Sequence, residues 1–560
     1  MLISDTCRFV AYVAFKKENT EKKLDSAKYF EYRGSIPGTN QFEYVDDWGE
    51  KYVGLVSLSI NVLDTVTGEI ITVDGIDDSL WTVGQPVFLP IQNNNPSYRL
   101  AYTAWKNGPR KLGMIYCYQR ESSIFVTDLT RQLLGTDEKN SEVSADDSVR
   151  TAENFKSDTH LLVTPETKLA RSARFSPDGS KMVFLGSRKG FASHNGCSEL
   201  LSVDVADIIR SLEISSEKGS IEKGEKKAIE ITTIVSSVGG ACTSEQSQLE
   251  NSFPGIYTDQ LPRNCFLSND CVVMSSPWGS VESLIAVHLP TKSIQKIDVL
   301  LEGSAPDNAN KISSNILDIQ RIENTYAGMD ESRSQLLLTV GTPCSSQVVG
   351  VLDVLLRAEN NGGKLVISSS LILQPDDYSV AQMAIARKKP TMKKEIAPTL
   401  SSEVSMTAET VRSNSDKLYG PNANDLRDRL AVNKDLNSLL SWKTSRYYDQ
   451  KGIPYESILI TPKRTEKGVF GYESMGTDRK CPLIVVPHGG PHSCMTTSYV
   501  ASYAYLALRL GAAVLHVNYR GSTGFGQDSI DALLGTHILT HTHTHIFKVT
   551  SSLISACRTN

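Results

Sequence analysis

The sequence predicts two regions of different fold class: an all-β region over residues 1–427 and a shorter α/β region over residues 428–535. Two observations predict this division. Up to about residue 385, short apolar or alternating runs are separated by turn residues, and helical periodicity is scarce. After Trp442, a strand, a helix and a second strand follow one another. That order is typical of a parallel βαβ unit.

The first region reads as a series of short strands, clearest at Tyr52–Val62, Ser122–Leu129, Met182–Gly186, Leu284–Leu289 and Leu336–Val340. Pro177, Asp178 and Gly179 form a turn signal directly before one of them, because proline presets φ and glycine accepts a positive φ. The region is too long for one β-sandwich. Repeated four-stranded sheets would make a β-propeller, and a pair of separate β-domains is the alternative.

Three stretches interrupt this pattern. Residues 131–160 and 213–250 are rich in Ser, Glu, Lys and Asp, which predicts surface insertions between strands. Residues 386–427 are interpreted as the linker between the two regions. The lysine pairs at its start, Lys388-Lys389 and Lys393-Lys394, fit a solvated linker, with a nuclear signal as the alternative.

Within the second region, Cys481–Val486 is a continuous apolar run that predicts a strand buried on both faces. Apolar residues then recur at helical spacing from Tyr499 to Leu510, and Gly511 is placed to cap the helix. Ala513–Val517 is a second run typical of a buried strand.

Composition narrows the function classes. A hydrophobic content of 40% and a formal net charge of -5 are typical of a soluble globular protein and indicate neither nucleic-acid nor membrane binding. The ten cysteines include no Cys-x-x-Cys pair, which argues against a zinc knuckle or a dithiol redox site. Asp5 and Arg8 interrupt any signal-peptide pattern, and no run reaches the roughly 18 apolar residues of a membrane span. We therefore expect a cytoplasmic protein without a cofactor.

A glycine-rich turn follows each of the two buried strands. The first is Pro487–Ser493 (PHGGPHS), and the second is Asn518–Gly526 (NYRGSTGFG). Open α/β sheets bind ligands at the carboxyl ends of their strands. A His-Gly-Gly turn in that place supplies a backbone N–H to the oxyanion of an acyl-transfer intermediate. An ordinary tight turn is the alternative, but the flanking prolines and the second loop favour a hydrolase scaffold.

The chain resembles the acylaminoacyl-peptidases, or acyl-peptide hydrolases, of the prolyl oligopeptidase group. The resemblance lies in Val486–Ser493 and Val517–Ile530 and extends to Leu80–Val87 and Ser252–Tyr257. It implies a seven-bladed β-propeller that caps an α/β-hydrolase domain. It also implies release of an N-acylated residue from short peptides in the cytosol by a Ser-His-Asp triad, often in an oligomer of identical subunits.

Site residues follow from the same resemblance. Gly490 matches the glycine whose backbone N–H forms the oxyanion hole, His488 is expected to order its turn, and His488 and Gly489 are expected to shape the pocket. Arg520 and Gly521 are expected to shape the acyl-binding side of the pocket. A purely supporting arginine is the alternative for Arg520.

The catalytic triad has no match in the chain. No Gly-x-Ser-x-Gly occurs in the 560 residues, and only 70 residues follow Gly490. In the family the nucleophile lies roughly 80–100 residues beyond this turn, in a strand–elbow–helix. Ser474 in Gly471–Gly476 precedes the turn and lacks a glycine two positions before it, so it is rejected. We expect a C-terminally truncated hydrolase domain without activity; a non-enzymatic, peptide-binding propeller scaffold is the alternative function.

Residues 536–560 do not continue the resemblance. In this tail Thr and His alternate, and His541, His543 and His545 would share one face of an extended strand, as zinc ligands can. Codons of a CA dinucleotide repeat also read as alternating Thr and His. We therefore interpret the tail as an aberrant or disordered segment and expect no metal site.

Overall fold

The computed structural model describes fifteen stretches of the chain, with short gaps at 74, 78, 165–167, 298 and 437. These stretches are 2–3, 8–15, 58–90, 98–107, 120–134, 160–188, 195–217, 229–239, 253–299, 313–322, 331–358, 365–371, 436–449, 452–463 and 481–533. The predicted linker at 386–427 and the tail at 536–560 lie outside them, as does Ser474.

Five four-stranded sheets, numbered I to V in chain order, make up the first region as far as it is described. Within each sheet the strands are consecutive in sequence and antiparallel. Sheet I contains β1 (Leu2–Ile3), β2 (Phe9–Phe15), β3 (Leu58–Asp64) and β4 (Ile70–Thr72), and sheet II contains β5 (Trp81–Phe88), β6 (Arg99–Lys106), β7 (Ser122–Asp128) and β8 (His160–Leu162). Sheet III contains β9 (Lys168–Phe175), β10 (Lys181–Arg188), β11 (Glu199–Asp204) and β12 (Thr232–Val235), and sheet IV contains β13 (Phe266–Ser268), β14 (Cys271–Trp278), β15 (Val281–His288) and β16 (Ser293–Ile297). Sheet V contains β17 (Ser313–Ile322), β18 (Glu331–Thr342), β19 (Ser345–Ala358) and β20 (Leu365–Leu371).

The apolar core lies between successive sheets. On β10, Met182 and Phe184 pack towards sheet II, whereas Val183 and Leu185 pack towards sheet IV. Successive side chains of a strand point to opposite faces, so each inner sheet has an apolar face for both neighbours. Equivalent clusters join sheet I to sheet II and sheet IV to sheet V. The first region, as far as it is described, is therefore a series of four-stranded antiparallel sheets that pack face to face.

The predicted Pro-Asp-Gly turn is confirmed. Gly179 has a φ of +70°, and its N–H donates to the carbonyl oxygen of Ser176 at 2.9 Å. Ser176 Oγ also donates to the carboxylate of Asp178 at 2.6 Å. The turn leads directly into β10, which the apolar run predicts.

Helices also occur among the sheets. They are α1 (Thr130–Leu134) and α2 (Val205–Glu217). On α2, Val205, Ile208 and Leu212 have the i, i+3, i+7 spacing of one helix face and pack into the core between sheets II and III. The stretch 213–250 therefore contains the end of a helix and strand β12 rather than loop alone.

Sheet VI forms the α/β region. Its strand order is β21 (Leu440–Tyr448), β22 (Pro454–Pro462), β24 (Ala513–Asn518) and β23 (Leu483–Pro487). Helix α3 (Ala501–Leu510) connects β23 to β24, which are parallel, so the predicted βαβ unit is confirmed. The helix ends at Gly511 in the left-handed conformation, with φ +58°, as predicted. A short helix, α4 (Gln527–Asp531), follows the second glycine-rich loop.

Strand β23 differs from its prediction. We predicted burial on both faces, but its five residues are exposed or half-buried, whereas all six residues of β24 are buried. β23 is the outermost strand of sheet VI as described, so it has a neighbour on one side only. A continuous apolar run therefore identified the strand but not its burial. No helix in the described stretches is long and apolar enough to cross a membrane.

Candidate active site

The two glycine-rich turns lie side by side at one edge of sheet VI. They follow β23 and β24, whose parallel register aligns Pro487 with Val517. The N–H of Thr523 in the second turn donates to the carbonyl oxygen of Ser493 in the first at 3.0 Å. The parallel pairing therefore brings together two motifs that are about thirty residues apart in sequence.

His488 links the two turns. Its ring stacks on Tyr519 with a centroid distance of 4.5 Å, and its Nε2 lies 2.8 Å from Ser522 Oγ. The Tyr519 hydroxyl donates to the carbonyl oxygen of His488 at 2.8 Å, and His488 Nδ1 lies 3.0 Å from Ser493 Oγ. Burial lowers the pKa of His488, which favours the neutral ring at neutral pH. His488 does not line the cavity described below.

Gly490 has a backbone that requires glycine. Its φ is +132°, and a Cβ at this position would lie 3.0 Å from Ser493 Oγ and 3.2 Å from His492 N. A Cβ at Gly489 would meet nothing within 4 Å. In the described part of the chain the N–H of Gly490 makes no hydrogen bond, so it is free to act as a donor.

Gly489 and Gly490 open onto a cavity of about 1080 Å³. Its opposite wall is formed by sheets III, IV and V and the segment that joins sheet III to sheet IV. The lining residues are, on the side of sheet VI, Gly489, Gly490, His492, Ser493, Cys494, Thr496 and Thr523, and, on the other side, Arg174, Asn195, residues 257–263, Ser275, Pro277, Glu282 and Ile316. The volume is at the upper end of the roughly 300–1,000 Å³ typical of ligand pockets.

Charged side chains of the opposite wall were not predicted from the sequence. Arg174 and Glu282 lie in strands, and Asp259 and Arg263 lie in the connecting segment. Burial, followed by the charge of Asp259, raises the pKa of Glu282 to about 7. The only sequence signal near this wall is Ser252–Tyr257, one of the segments that carry the family resemblance. No residue pattern distinguishes these four side chains from ordinary surface charges.

A hairpin turn of sheet IV, formed by Gly279 and Ser280, is hydrogen-bonded to sheet VI and to the second glycine-rich loop. Gly279 N–H donates to the Gly524 carbonyl oxygen at 2.9 Å, and Ser280 N–H donates to Glu456 Oε2 at 2.8 Å. Asn518 Nδ2 donates to Ser280 Oγ at 2.9 Å. The turn between β14 and β15 is thus bonded to β22, to β24 and to the second glycine-rich loop.

Arg520 and Gly521 belong to the second glycine-rich loop, and both are buried. Arg520 is buried and its Nη1 is 3.3 Å from Asp449 Oδ2. Gly521 has a φ of +103°, and a Cβ there would lie 2.5 Å from the side chain of Leu533. Neither residue lines the cavity as described, and their part in shaping an acyl-binding pocket stays a prediction.

His541, His543 and His545 lie outside the described residues. Among the residues that the structure does describe, no three His, Cys, Asp or Glu side chains are grouped to hold a metal ion.

A His-Gly-Gly turn at the end of a parallel strand thus faces a cavity walled by serially packed β-sheets. The profile of the family "Acylamino-acid-releasing enzyme, N-terminal domain" matches residues 4–325, more than half of the chain. The chain belongs to the acylamino-acid-releasing enzyme family.

Curated relatives carry the same name. Acylamino-acid-releasing enzyme 1 of rice is 24% identical over 542 residues, covering 94% of this chain and 55% of the relative. The human enzyme is 25% identical over 497 residues, covering 89% and 48%. The chain thus spans about half the length of the curated relatives it matches. An uncharacterized peptidase of Bacillus subtilis, YuxL, is 41% identical over 92 residues, 16% of this chain and 12% of that protein.

Solved structures of the same group are also similar. An acylaminoacyl peptidase of Pyrococcus horikoshii shares 11% identity with a TM-score of 0.42, covering 94% of this chain and 51% of that one. Prolyl oligopeptidase B of Galerina marginata shares 9% identity with a TM-score of 0.40, covering 95% and 46%.

Proposed function

We propose that this chain binds short N-acylated peptides and presents their acyl-linked residue for release by acyl transfer, the reaction for which its relatives are named. The observation that carries the proposal is the cavity shared by Gly490 and the wall of sheets III to V. It supports a peptide held between the two regions, with its reacting carbonyl at the glycine turn.

Gly490 is proposed as an oxyanion donor. Its N–H is unbonded in the described structure and adjoins the cavity, so it can stabilise negative charge that develops on the carbonyl oxygen. The neutral His488 ring, stacked on Tyr519 and bonded to Ser522, would hold the turn in place. Gly489 would let the peptide approach the backbone closely, because no side chain stands there.

The printed chain is proposed to be inactive in hydrolysis. None of its 560 residues lies in a Gly-x-Ser-x-Gly elbow, so no serine nucleophile is paired with a base in the manner of the family. As written, the chain would be a peptide-binding form, which is also the non-enzymatic alternative inferred from the sequence. A hydrolytic form needs an elbow serine and later Asp and His residues to complete the site around Gly490.

We further propose that sheets I to V belong to a seven-bladed propeller, and that the protein acts in the cytoplasm as an oligomer of identical subunits. The serial packing of the sheets supports the propeller. A reducing compartment is supported by the cysteines, because Cys197, Cys265, Cys271, Cys344 and Cys494 form no disulfide in the stretches that the structure describes.

The test compares two proteins. The printed chain should not be labelled by a fluorophosphonate probe. A chimaera in which the rice relative supplies the remaining α/β segment in place of 536–560 should be labelled. The chimaera should also cleave acetyl-alanyl substrates and leave peptides with a free amino terminus uncut. Stoichiometric labelling of the printed chain would contradict its inactivity, and a preference for free amino termini would contradict the acyl-peptide assignment.

Gly490 is tested in the same chimaera. Gly490→Pro removes the N–H and also forces a φ near −65° on a turn whose φ is +132°, so turnover should fall by at least the about 10²–10³-fold that loss of one oxyanion donor causes. Gly489→Ala is the matched control, because its Cβ has open space and its N–H remains. Near-normal turnover of the proline variant would exclude Gly490 as the donor.

A further inference from the structure

Arg174 is a buried cation in the cavity wall without an acidic partner in the described structure. The residue is 8% exposed and lines the cavity at the end of β9. Its Nε donates to the Pro262 carbonyl oxygen at 2.8 Å, its Nη1 to that of Ala173 at 2.8 Å, and its Nη2 to that of Leu261 at 2.6 Å. Buried charges are ordinarily paired, so a guanidinium held only by carbonyl groups lacks a counterion.

The charges of the cavity are separated rather than paired. Arg263 also lines it and is exposed, and burial together with the charge of Arg263 lowers the pKa of Arg174. Burial, followed by the charges of Glu456 and Glu282, raises the pKa of the Cys494 thiol beside the glycine turn. No ion pair joins either arginine to Glu282 or Asp259 in the stretches that the structure describes. The cavity therefore has a cationic part distinct from its acidic part.

We propose that Arg174, assisted by Arg263, binds the C-terminal carboxylate of the short peptide in this cavity; the inference rests on the proposed function. An N-acylated peptide has no amino-terminal charge, so its terminal carboxylate is the charge that it always carries. A guanidinium has five N–H groups, and three bonds to carbonyl groups leave donors for a carboxylate. Such a site would select peptides short enough for the carboxylate to reach it while the acyl end lies at Gly490.

A structural role for Arg174 must be separated from this one, since it also holds the segment 257–263. Arg171 provides the control. It lies on the same strand, is 2% exposed, and donates to the carbonyl oxygens of Asp259 at 2.8 Å and Thr258 at 3.2 Å. Arg171 does not line the cavity. Its replacement should disturb the segment without removing a carboxylate-binding group.

The experiment measures the affinity of the 560-residue chain for three peptides by isothermal titration calorimetry. The ligands are acetyl-trialanine with a free carboxylate, its C-terminal amide, and trialanine with a free amino terminus. Wild type should bind the acetylated acid at least about 10-fold more tightly than the amide, as a charge-assisted hydrogen bond predicts. Arg174→Gln should reduce the affinity for the acid to that for the amide. Arg171→Gln should instead lower the affinities for the acid and the amide by the same factor.

The outcomes separate this inference from the proposed function. The carboxylate-binding inference would be overturned if wild type bound the acid and the amide equally or did not measurably bind the acid. It would also be overturned if Arg171→Gln lost the preference for the acid as fully as Arg174→Gln. A C-terminal amide ending in aspartate that binds as tightly as the acid would overturn the assignment to the chain terminus. Equal binding of acetylated and free-amine peptides, with the acid preference retained, would contradict the proposed function alone. If Arg174→Gln does not fold, Arg174→Lys must lower the acid preference while leaving the amide affinity unchanged, and an unchanged preference overturns the inference.

Discussion

At the residue scale, Glu282 is a carboxyl group whose surroundings favour its neutral form. It lies in the cavity wall, and burial followed by the charge of Asp259 raises its pKa from 4.5 to about 7. A protonated carboxyl group can donate a hydrogen bond, whereas a carboxylate can only accept. Near neutral pH this side chain can therefore present either function to a peptide in the cavity.

The raised pKa of Glu282 predicts a pH-dependent stability. A carboxyl group whose pKa is higher in the folded state stabilises the fold below its ordinary pKa, and the stabilisation is lost as pH rises through the folded value, here about 7. Glu282→Gln removes this dependence. Relative to wild type, its free energy of unfolding should rise by roughly 1–3 kcal/mol between about pH 4.5 and pH 8. Urea unfolding at both pH values measures the difference.

Glu282→Asp is the matched control, because it retains a carboxyl group and should follow the wild-type pH profile. If the free energies of unfolding of wild type and Glu282→Gln differed by the same amount at both pH values, the folded protein would not raise the pKa of the Glu282 carboxyl group.

At the element scale, the hairpin turn between β14 and β15 is the contact that fixes sheet IV to sheet VI. Gly279 has a φ of +62°, and a Cβ there would lie 3.0 Å from both carboxylate oxygens of Glu456 and 3.2 Å from Arg446 Nη2. The turn thus needs glycine both for its backbone conformation and for its close approach to an ion pair.

Gly279→Ala should lower the free energy of unfolding more than a Gly→Ala substitution whose only cost is the left-handed backbone conformation. Gly68 is the matched control, because its φ is +77° but a Cβ there would meet nothing within 4 Å. Gly68→Ala should cost about 1–2 kcal/mol, the penalty of the left-handed conformation. Gly279→Ala should cost roughly 1–3 kcal/mol more through overpacking. Denaturant unfolding of both variants measures the costs, and equal costs would mean that the turn is not tightly packed.

At the scale of the whole molecule, the Arg446–Glu456 ion pair couples the two regions. Glu456 Oε1 accepts from Arg446 at 2.7 Å within sheet VI, while Oε2 accepts from the Ser280 N–H of sheet IV at 2.8 Å. Glu456 is buried. A buried carboxylate that is fully bonded on both oxygens holds its partners in a defined orientation.

Glu456→Ala should loosen the contact between the regions. It leaves Arg446 without its carboxylate and the Ser280 N–H without its acceptor, for an expected loss of about 2–4 kcal/mol in the free energy of unfolding. Limited proteolysis should also cut the chain faster between sheets IV and VI. Glu121→Ala is the control, because the Lys106–Glu121 pair is more than 40% exposed on both sides and should contribute about 1 kcal/mol or less. Equal effects of the two substitutions would contradict the coupling.

Local patterns in the sequence predicted the elements that local physics controls. The turn at Gly179 and the end of α3 at Gly511 both depend on a positive φ, which glycine adopts without strain. The βαβ unit followed from two apolar runs separated by helical spacing. The helix end at Glu217 and strand β12 were missed, because the polar composition of 213–250 conceals short elements that pack through a few apolar residues.

The sequence by itself determined the family, the two regions and the glycine turn that carries Gly490, because each rests on residues that are contiguous in the chain. Only the tertiary structure brought Arg174 and Glu282 into one cavity with that glycine and the Gly279 turn to the second glycine-rich loop, since these residues are about 200 to 300 positions apart in the chain. It also decided that β23 is half exposed and that Arg520 contacts Asp449 without lining the cavity. Burial and charge separation depend on which elements face one another, and a pattern along one strand contains no information about the strand packed opposite.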